Sequence, residues 1–376
     1  MCQRTCRAGG DRVKLQPNRV IGAGMQIYST QLTGFAQAIF EKLGTAEEKA
    51  RETAEHLVLS NLKGHDSHGV GMIPNYVASA LRGGLKVNAD AEVVTDKGAV
   101  ILVDGGYGFG QVVGRQATDL AIERAKSMGM ACVGSRNNHH LGRIGTYAEH
   151  CVREGLISIH FVNVVGHPPF VSLWGGRDKR VQTNPFCCGV PTGDDPVILD
   201  MATSAIALGK VRVAGLKGED VPPGCLFDAE GRPTNDPSVI ASGGSLGPFG
   251  GHKGSGLAYI CELLGGALAG EWTMQDDSRQ GQITVNHMLM FVLDPDLFGG
   301  GEQFRAEVEG MQQYARSSRP AKGVDHVRLP GDPERETMAY RLRDGIPIDD
   351  GSLKDICDAA EKAGMTSGDV ESWLAG

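Results

Sequence analysis

Apolar positions along this chain follow two patterns, a helical period near 3.6 residues and short, nearly continuous runs, and their alternation predicts an α/β fold of mixed α+β character. Leu32, Phe35, Ile39 and Leu43 recur at helical spacing from Thr30 to Leu43, and Gly44 follows where a helix stop is wanted. Thr45 and Glu48 have the spacing of a capping box for a second helix, which carries Ala54, Leu57, Val58 and Leu62 and ends at Gly64. Tyr76 to Leu81 continues the helical pattern. A strand, Ala99 to Asp104, then leads through the glycine-rich turn Gly105 to Gly110 into a helix, Val112 to Ser127. Further strand-like runs lie at Met130–Gly134, Leu156–Val165, Val181–Val190, Val197–Met201 and Val285–Leu293. Helix-like runs lie between them at Thr146–Glu154, Ala205–Val213 and Leu257–Leu268. Turn residues such as Gly175-Gly176, Thr183-Asn184-Pro185 and Pro191 to Pro196 punctuate the runs and imply a mixed sheet. Glu302–Ser317 reads as a polar helix and Leu329–Glu334 as a turn rich in acceptors. Ser352 with Asp355 is the expected cap of a last helix, closed by Gly364.

With 376 residues the chain is long enough for two lobes. Its net charge of −8, without a concentrated excess of Lys and Arg, argues against a nucleic-acid partner. No apolar run approaches a membrane span, so no membrane partner is expected. Residues 1–24 are rich in Arg, Gly and polar side chains, lack the apolar core of a secretion signal, and are expected to be a disordered extension. The nine cysteines are an odd set without framework spacing, and Cys187-Cys188 falls in an apolar run. Reduced, buried thiols and a cytoplasmic location follow as expectations.

Candidate chemistry centres on Ser135 to Tyr147, where His139 and His140 stand between a strand and a helix. Imidazole exchanges a proton near neutral pH, and Gly142 and Gly145 permit close approach of a ligand to the backbone. His65-Asp66-Ser67-His68-Gly69 concentrates further polar groups just past a helix end. The turn after Asp104 has the spacing Gly108-x-Gly110-x-x-x-Gly114, and no strand ending in an acidic residue follows about twenty residues on, so a Rossmann site is not expected. Asp200, where a strand hands over to a helix, suits either a ribose hydroxyl or a helix cap. Gly243 to Gly256 lacks the order of a P-loop, yet Lys253 at the entrance of a helix is well placed for an anion.

The order of these motifs carries more than any one of them. His65 to Gly69, Asn138-His139-His140-Leu141-Gly142-Arg143-Ile144-Gly145, Thr183-Asn184-Pro185, Asp200 to Ser204, His252-Lys253-Gly254 and Pro330-Gly331 together resemble the malate/L-lactate dehydrogenase family. His65 to Met72 and Pro222 to Leu226 resemble most its hydroxycarboxylate dehydrogenase B type. The resemblance runs from about Met25 to the C-terminus. It implies a non-Rossmann NAD(P)-binding fold: a helical domain built from residues 25–90 and 291–376, a central sheet domain of residues 91–290, and a homodimer. It implies NAD or NADP as cofactor, a small 2-hydroxy or 2-oxo acid as substrate, and His139 as general acid/base. It implies cofactor contacts at His68, Gly142, Arg143, Ile144, Leu199, Asp200, Met201, Ala202, Thr203, Lys253, Gly331, Asp332 and Glu334.

At one place the chain departs from the family. Ureidoglycolate-type members carry an arginine for the substrate carboxylate where this chain has Met72, so the anion is expected on Arg143 or Lys253, with an apolar or aromatic substrate side chain. Malate, lactate, ureidoglycolate or a cyclic imine are alternatives within the family. A metal-dependent hydrolase using His65, Asp66, His68, His139 and His140 is the rival from another class, although no His-Glu-x-x-His helix or zinc-spaced cysteine pair is present. A non-catalytic ligand-binding protein is the third reading. No metal site is expected.

Overall fold

The computed structural model describes residues 19–20, 25–276 and 283–375. Most of the expected extension therefore lies outside the described residues; Arg19–Val20 form a short strand, β1, paired antiparallel with β2 (Met25–Ile27). The first periodic segments become α1 (Ser29–Lys42) and α2 (Glu47–Leu62), which bury Leu32, Phe35, Ile39, Ala54, Leu57 and Val58 between them and their neighbours. The capping box is not formed. Ala46 takes the N-cap position of α2, its N–H donates to Asn88 Oδ1 at 2.8 Å, and the Thr45 hydroxyl is buried without a partner. A contact from far along the chain has replaced the local one.

Next come α3 (Ile73–Leu81), β3 (Glu92–Lys97), β4 (Val100–Asp104), α4 (Gly110–Met128), β5 (Met130–His139), α5 (Gly145–Arg153) and β6 (Ile157–Val165). The single run expected over Val181–Val190 is broken. Asn184 has φ +24°, and the chain leaves β7 (Val171–Ser172) and β8 (Lys179–Val181) in one sheet to enter another through β9 (Phe186–Val190) and β10 (Val197–Met201). Then follow α6 (Leu208–Lys217), β11 (Leu226–Phe227), β12 (Pro233–Thr234), β13 (Ser245–Leu246) and α7 (His252–Cys261), which runs on as a π-helical stretch, Glu262–Gly270. The chain closes with β14 (Val285–Leu293), α8 (Gly301–Arg316), α9 (Asp332–Asp344), β15 (Ile346–Ile348), α10 (Asp350–Ala363) and α11 (Ser367–Ala375). Asp349, not Ser352, caps α10: its carboxylate accepts from Ser352 N at 2.9 Å and Ser352 Oγ at 2.6 Å.

Among the described residues the main sheet has seven strands in the order β10-β9-β6-β14-β5-β4-β3. Only β4 and β5 pair in parallel, across the α4 crossover; every other neighbour is antiparallel. A doubly wound dinucleotide fold needs a run of parallel strands, so this is a non-Rossmann mixed sheet. β14 lies at its centre, buried on both faces, which explains its apolar run Met288–Leu293. Helices α4 and α5 cover one face through Ala117, Ala121, Ala148 and Cys151. The π-helical stretch covers the other face, where a side chain at Gly265 would press on Asn163 N and Phe161 O. A separate core joins α1, α2 and α3 to Ile346, Ile348, Ile356 and Ala360, so both ends of the chain share it. Phe109 and Val112 at the start of α4 reach into that core and bring the helices against the sheet.

Candidate active site

β5 extends further than its apolar run, so His139 is its last residue and His140 opens the connection to α5. A bulge in β14 between Asn286 and Met288 holds this corner. Leu141 N donates to Asn286 Oδ1 at 2.8 Å, Asn138 Nδ2 to Asn286 O at 3.0 Å, and Asn137 N to His287 Nδ1 at 3.0 Å. Two glycines are obligatory beside it. A Cβ at Gly110 would overlap the carbonyl oxygens of His139 and His140, and Gly142 has φ +72° with a Cβ position 2.6 Å from His56 Nε2.

The two histidines occupy different surroundings. His139 is 2% exposed, its Nε2 lies 3.0 Å from Ser79 Oγ, its Nδ1 is buried without a partner, and burial pushes its pKa down to about 3. His140 is half-buried and its Nδ1 lies 2.7 Å from Tyr76 Oη. Its ring stacks on that of His68, with centroids 5.6 Å apart and planes within 12°. Gln111 Nε2 donates to Tyr76 Oη at 2.8 Å, and the same hydroxyl is 3.5 Å from His140 O. Burial, and then the neighbouring imidazoles of His68, His139, His56 and His167, hold His140 well below the ordinary histidine pKa. Tyr76 and Ser79, one turn apart on α3, therefore engage the two consecutive histidines.

Arg143 lies in a buried charge cluster. It is 1% exposed, with Nη1 2.8 Å from Glu149 Oε1 and Nε 3.5 Å from Asp200 Oδ2. Lys63 Nζ reaches Glu149 at 2.5 Å. Burial by itself would raise the Glu149 pKa, but Arg143 and Lys63 outweigh it and hold the carboxyl below its usual range. The expectation that Arg143 receives the substrate carboxylate is therefore corrected, since carboxylates of the protein already occupy it. Its backbone N–H donates to His56 Nε2 at 3.1 Å, and burial together with the guanidinium pushes His56 down to about 3. Asp200 also accepts from Gly145 N at 2.8 Å. It thus caps α5 from a neighbouring strand rather than the helix that follows it in sequence.

The His65–Gly69 segment divides its labour. His65 Nε2 lies 3.1 Å from Glu334 Oε1, and Asp66 forms an ion pair with Arg341 at 2.6 Å, tying the segment to α9. His68 is left against His140, and burial pushes its pKa down to about 4. Asp332 pairs with Arg316 and Arg335 at 2.9 and 2.5 Å, and Ile198 N donates to Pro330 O; the expected turn over Gly331–Glu334 is instead the N-cap and first turn of α9, which lie along β10. Leu199 and Met201 are half-buried on that edge strand, as is Ala202 just beyond its end, while Ile144 is buried. Thr203 Oγ1 donates to Thr183 O and Asn184 O, and Phe249 N donates to Thr203 O. The Thr183–Pro185, Asp200–Ser204 and Gly243–Gly256 motifs are thereby brought together.

Lys253 is exposed on the first turn of α7, where the N–H groups of Lys253, Gly254 and Ser255 already donate to Gly250, Phe249 and Gly251. An anion there would meet the side chain rather than the helix amides. Among the described residues no group of three or more His, Cys, Asp or Glu side chains is placed to share a metal ion.

This arrangement of motifs has close counterparts. The malate/L-lactate dehydrogenase family model matches residues 27–357. The chain belongs to this family. It is 45% identical over 348 residues to hydroxycarboxylate dehydrogenase B of Escherichia coli, covering 91% of this chain and 96% of the relative. It is 39% identical to the L-lactate dehydrogenase of Cupriavidus necator, over 84% of this chain and 91% of that one. The solved structure of an E. coli malate/lactate dehydrogenase superposes with a TM-score of 0.88 at 43% identity, covering 93% of this chain and 98% of that one. Sulfolactate dehydrogenase of Methanocaldococcus jannaschii does so with 0.84 at 31% identity, covering 93% and 100%. The chain is an oxidoreductase of hydroxy acids, and such a dehydrogenase implies a nicotinamide cofactor.

Sequence reasoning overlooked several residues that shape this dehydrogenase's site. Ser79, Gln111, His56 and Asn286 carry no motif of their own, and Tyr76 read only as part of a helix. The one available signal was the i, i+3 placement of two hydroxyls on α3.

The buried imidazoles make stability depend on acid. His56, His139 and His160 have folded pKa values of about 3, 3 and 4, all depressed mainly by burial, against an unfolded value near 6.5. Below pH 6.5 the unfolded chain binds protons that the folded dehydrogenase refuses, so their contribution is complete above 6.5 and is lost as pH falls toward 4. Urea unfolding at pH 7.0 and 5.5 should show a loss of about 1 kcal/mol per histidine, on the order of 3–4 kcal/mol in all. Equal stability at the two values would refute the buried, neutral assignment.

Proposed function

We propose that the chain interconverts a 2-hydroxycarboxylate and its 2-oxo acid with NAD or NADP, and that His140 rather than His139 moves the hydroxyl proton. The observation that carries this is the pair of environments: His139 is enclosed and engaged by Ser79, whereas His140 is half-open with Nδ1 held by Tyr76. The transfer of the role by one residue has a physical reason, since a fully enclosed imidazole cannot reach a substrate.

With Nδ1–H donating to the Tyr76 oxygen, Nε2 is the basic nitrogen. It accepts the hydroxyl proton during oxidation and returns it to the carbonyl oxygen during reduction. Gln111 donates to the same tyrosine oxygen and keeps it in place. The depressed pKa leaves the imidazole neutral near pH 7, ready to act as base. The nicotinamide, when bound, supplies or accepts the hydride.

The residues fit such a cofactor. Gln111 Oε1 and Thr146 Oγ1 are buried beside the histidine corner without partners, and the exposed Lys253 has no ion pair among the described residues. His68, Gly142, Arg143, Ile144, Leu199 to Thr203, Lys253, Gly331, Asp332 and Glu334 would line it, with Arg143, Asp332 and Thr203 acting through the backbone they hold. Helical residues 25–90 and 294–376 would close over the sheet residues 91–293, a boundary three residues later than the sequence suggests because β14 runs to Leu293. A homodimer is part of this reading, supported by the exposed apolar side chains Tyr259, Ile260, Leu263 and Leu268 on α7 and its continuation. So is a reducing cytoplasm, supported by the free thiols of Cys132, Cys151, Cys187, Cys188, Cys225, Cys261 and Cys357.

A panel of phenylpyruvate, 2-oxoglutarate, pyruvate and oxaloacetate, each with NADH and NADPH, tests the proposal. Oxidation of either nucleotide by at least one acid is expected, with phenylpyruvate favoured because an apolar residue, Met72, stands where ureidoglycolate-type members have an arginine. Absence of turnover throughout would refute it. Lys253→Ala should weaken nucleotide binding roughly tenfold, the loss of about one charge-assisted contact, in a fluorescence titration. Unchanged affinity would remove Lys253 from the cofactor site.

A further inference from the structure

A 2-oxo acid needs a cation for its carboxylate, and the places first expected to supply one do not. Met72 is apolar and Arg143 is enclosed by Glu149 and Asp200. Lys253 belongs to the wall that contains Thr203, on the cofactor side of the proposed site.

Arg82 answers the requirement from a different direction. It is the C-cap residue of α3, the helix whose Tyr76 and Ser79 engage His140 and His139. Residues three apart on a helix have Cβ atoms about 5–6 Å apart, so Arg82 starts one such step from the Ser79 side chain. The turn that follows folds back toward the histidines: a Cβ at Gly84 would lie 3.2 Å from Ser79 Oγ and would collide with the Ile283 side chain. A Cβ at Gly166 would likewise collide with Ile283 O, and His167 Nε2 lies 2.5 Å from Thr284 Oγ1. The end of α3, Ile283–Thr284 and Gly166–His167 therefore form one wall beside Ser79, the residue that engages His139.

Arg82 is exposed, and no hydrogen bond or ion pair engages its side chain among the described residues. Its charge is nevertheless felt in this wall. After burial, the Arg82 guanidinium is what lowers the His167 pKa, and His167 in turn acts on His139 and His140.

We propose that Arg82 holds the carboxylate of the 2-oxo or 2-hydroxy acid, taking the place of the arginine that the chain lacks at Met72, and so acts as a specificity-determining residue. A guanidinium offers two parallel N–H donors to a carboxylate, which also orients the adjacent carbonyl carbon. Anchoring from the end of α3 rather than from its start makes no demand on Met72, which packs partly buried against the helical core. The proposal rests on the 2-hydroxycarboxylate dehydrogenase reading above.

The test compares wild type, Arg82→Gln and Arg82→Lys with the best-reduced acid of the panel and with its uncharged 2-oxo amide. Arg82→Gln should raise KM for the acid about tenfold to a hundredfold, the loss of a charge-assisted pair, with kcat changed by less than about fivefold. KM for the amide and the affinity for reduced nicotinamide should stay at wild-type values, and Arg82→Lys should fall between. An unchanged KM for the acid, or an equal rise for acid and amide, would overturn the assignment. A wild-type enzyme that reduces none of the acids would instead overturn the dehydrogenase reading, before Arg82 is in question.

Discussion

Replacing His140 by Gln should lower turnover by about a hundredfold to ten-thousandfold, the contribution of a positioned acid/base, while nucleotide affinity stays close to wild type. Glutamine still hydrogen-bonds to Tyr76 but cannot carry the proton. His139→Gln is the matched control. It disturbs a buried contact with Ser79 and should cost about 1–3 kcal/mol of stability, with turnover within a few-fold of wild type. The pH profiles add an independent readout. Reduction needs Nε2 protonated and should slow as pH rises through the His140 pKa; oxidation needs it neutral and should slow as pH falls through the same value. That value lies below 6.5, because burial and the surrounding imidazoles disfavour the charged ring. Both limbs should vanish in His140→Gln. If His139→Gln is the inactive variant and His140→Gln turns over normally, the assignment by exposure is wrong.

Arg143→Met should cost about 3–5 kcal/mol in denaturant unfolding, among the largest effects available to a single change in this chain. The loss does not measure the strength of one ion pair. It arises because Glu149 and Asp200, both with side chains 8% exposed, would keep their charges in a poorly hydrated interior, with Lys63 and, at 3.9 Å, the exposed Arg153 as the cations left beside Glu149. Combining Arg143→Met with Glu149→Gln should recover part of the loss, since one stranded charge is removed. A cost under about 1 kcal/mol for Arg143→Met would mean that water reaches the cluster. The same variant reports on function, because Arg143 N and Gly145 N hold the corner through His56 and Asp200.

Much of the fold was legible where one physical cause acts alone. Periodicity located α1, α2, α4 and β14 because burial on one helix face, or on both faces of a central strand, imprints itself on composition. It was silent on β3, an edge strand whose Glu92, Asp96 and Lys97 face solvent, and on α9, whose polar run Asp332–Asp344 buries almost nothing. The caps at Thr45 and Ser352 were misplaced because several short polar side chains compete for each helix start. Geometry chooses among them: at α2 it chose Asn88, at α10 Asp349. The motifs marked the right corner of the molecule, but which histidine faces outward depends on where β5 ends. A shift of one residue along a strand exchanges a buried side for an exposed one.

By itself the sequence determined the family, the mixed α/β class without a Rossmann fingerprint, and the set of segments from which a site is built. These depend on residue identity and order, which a chain carries whether folded or not. Only the tertiary structure decided that His140 keeps partial exposure while His139 is enclosed, that Arg143 lies between carboxylates, and that Asp200 caps a helix to which its own strand does not lead. It alone brought the turn after α3 and Gly166–His167 together against Ile283–Thr284. Each of these turns on burial and on distances between residues that are remote in sequence, and those quantities do not exist until the sheet, the helices and both chain ends have packed.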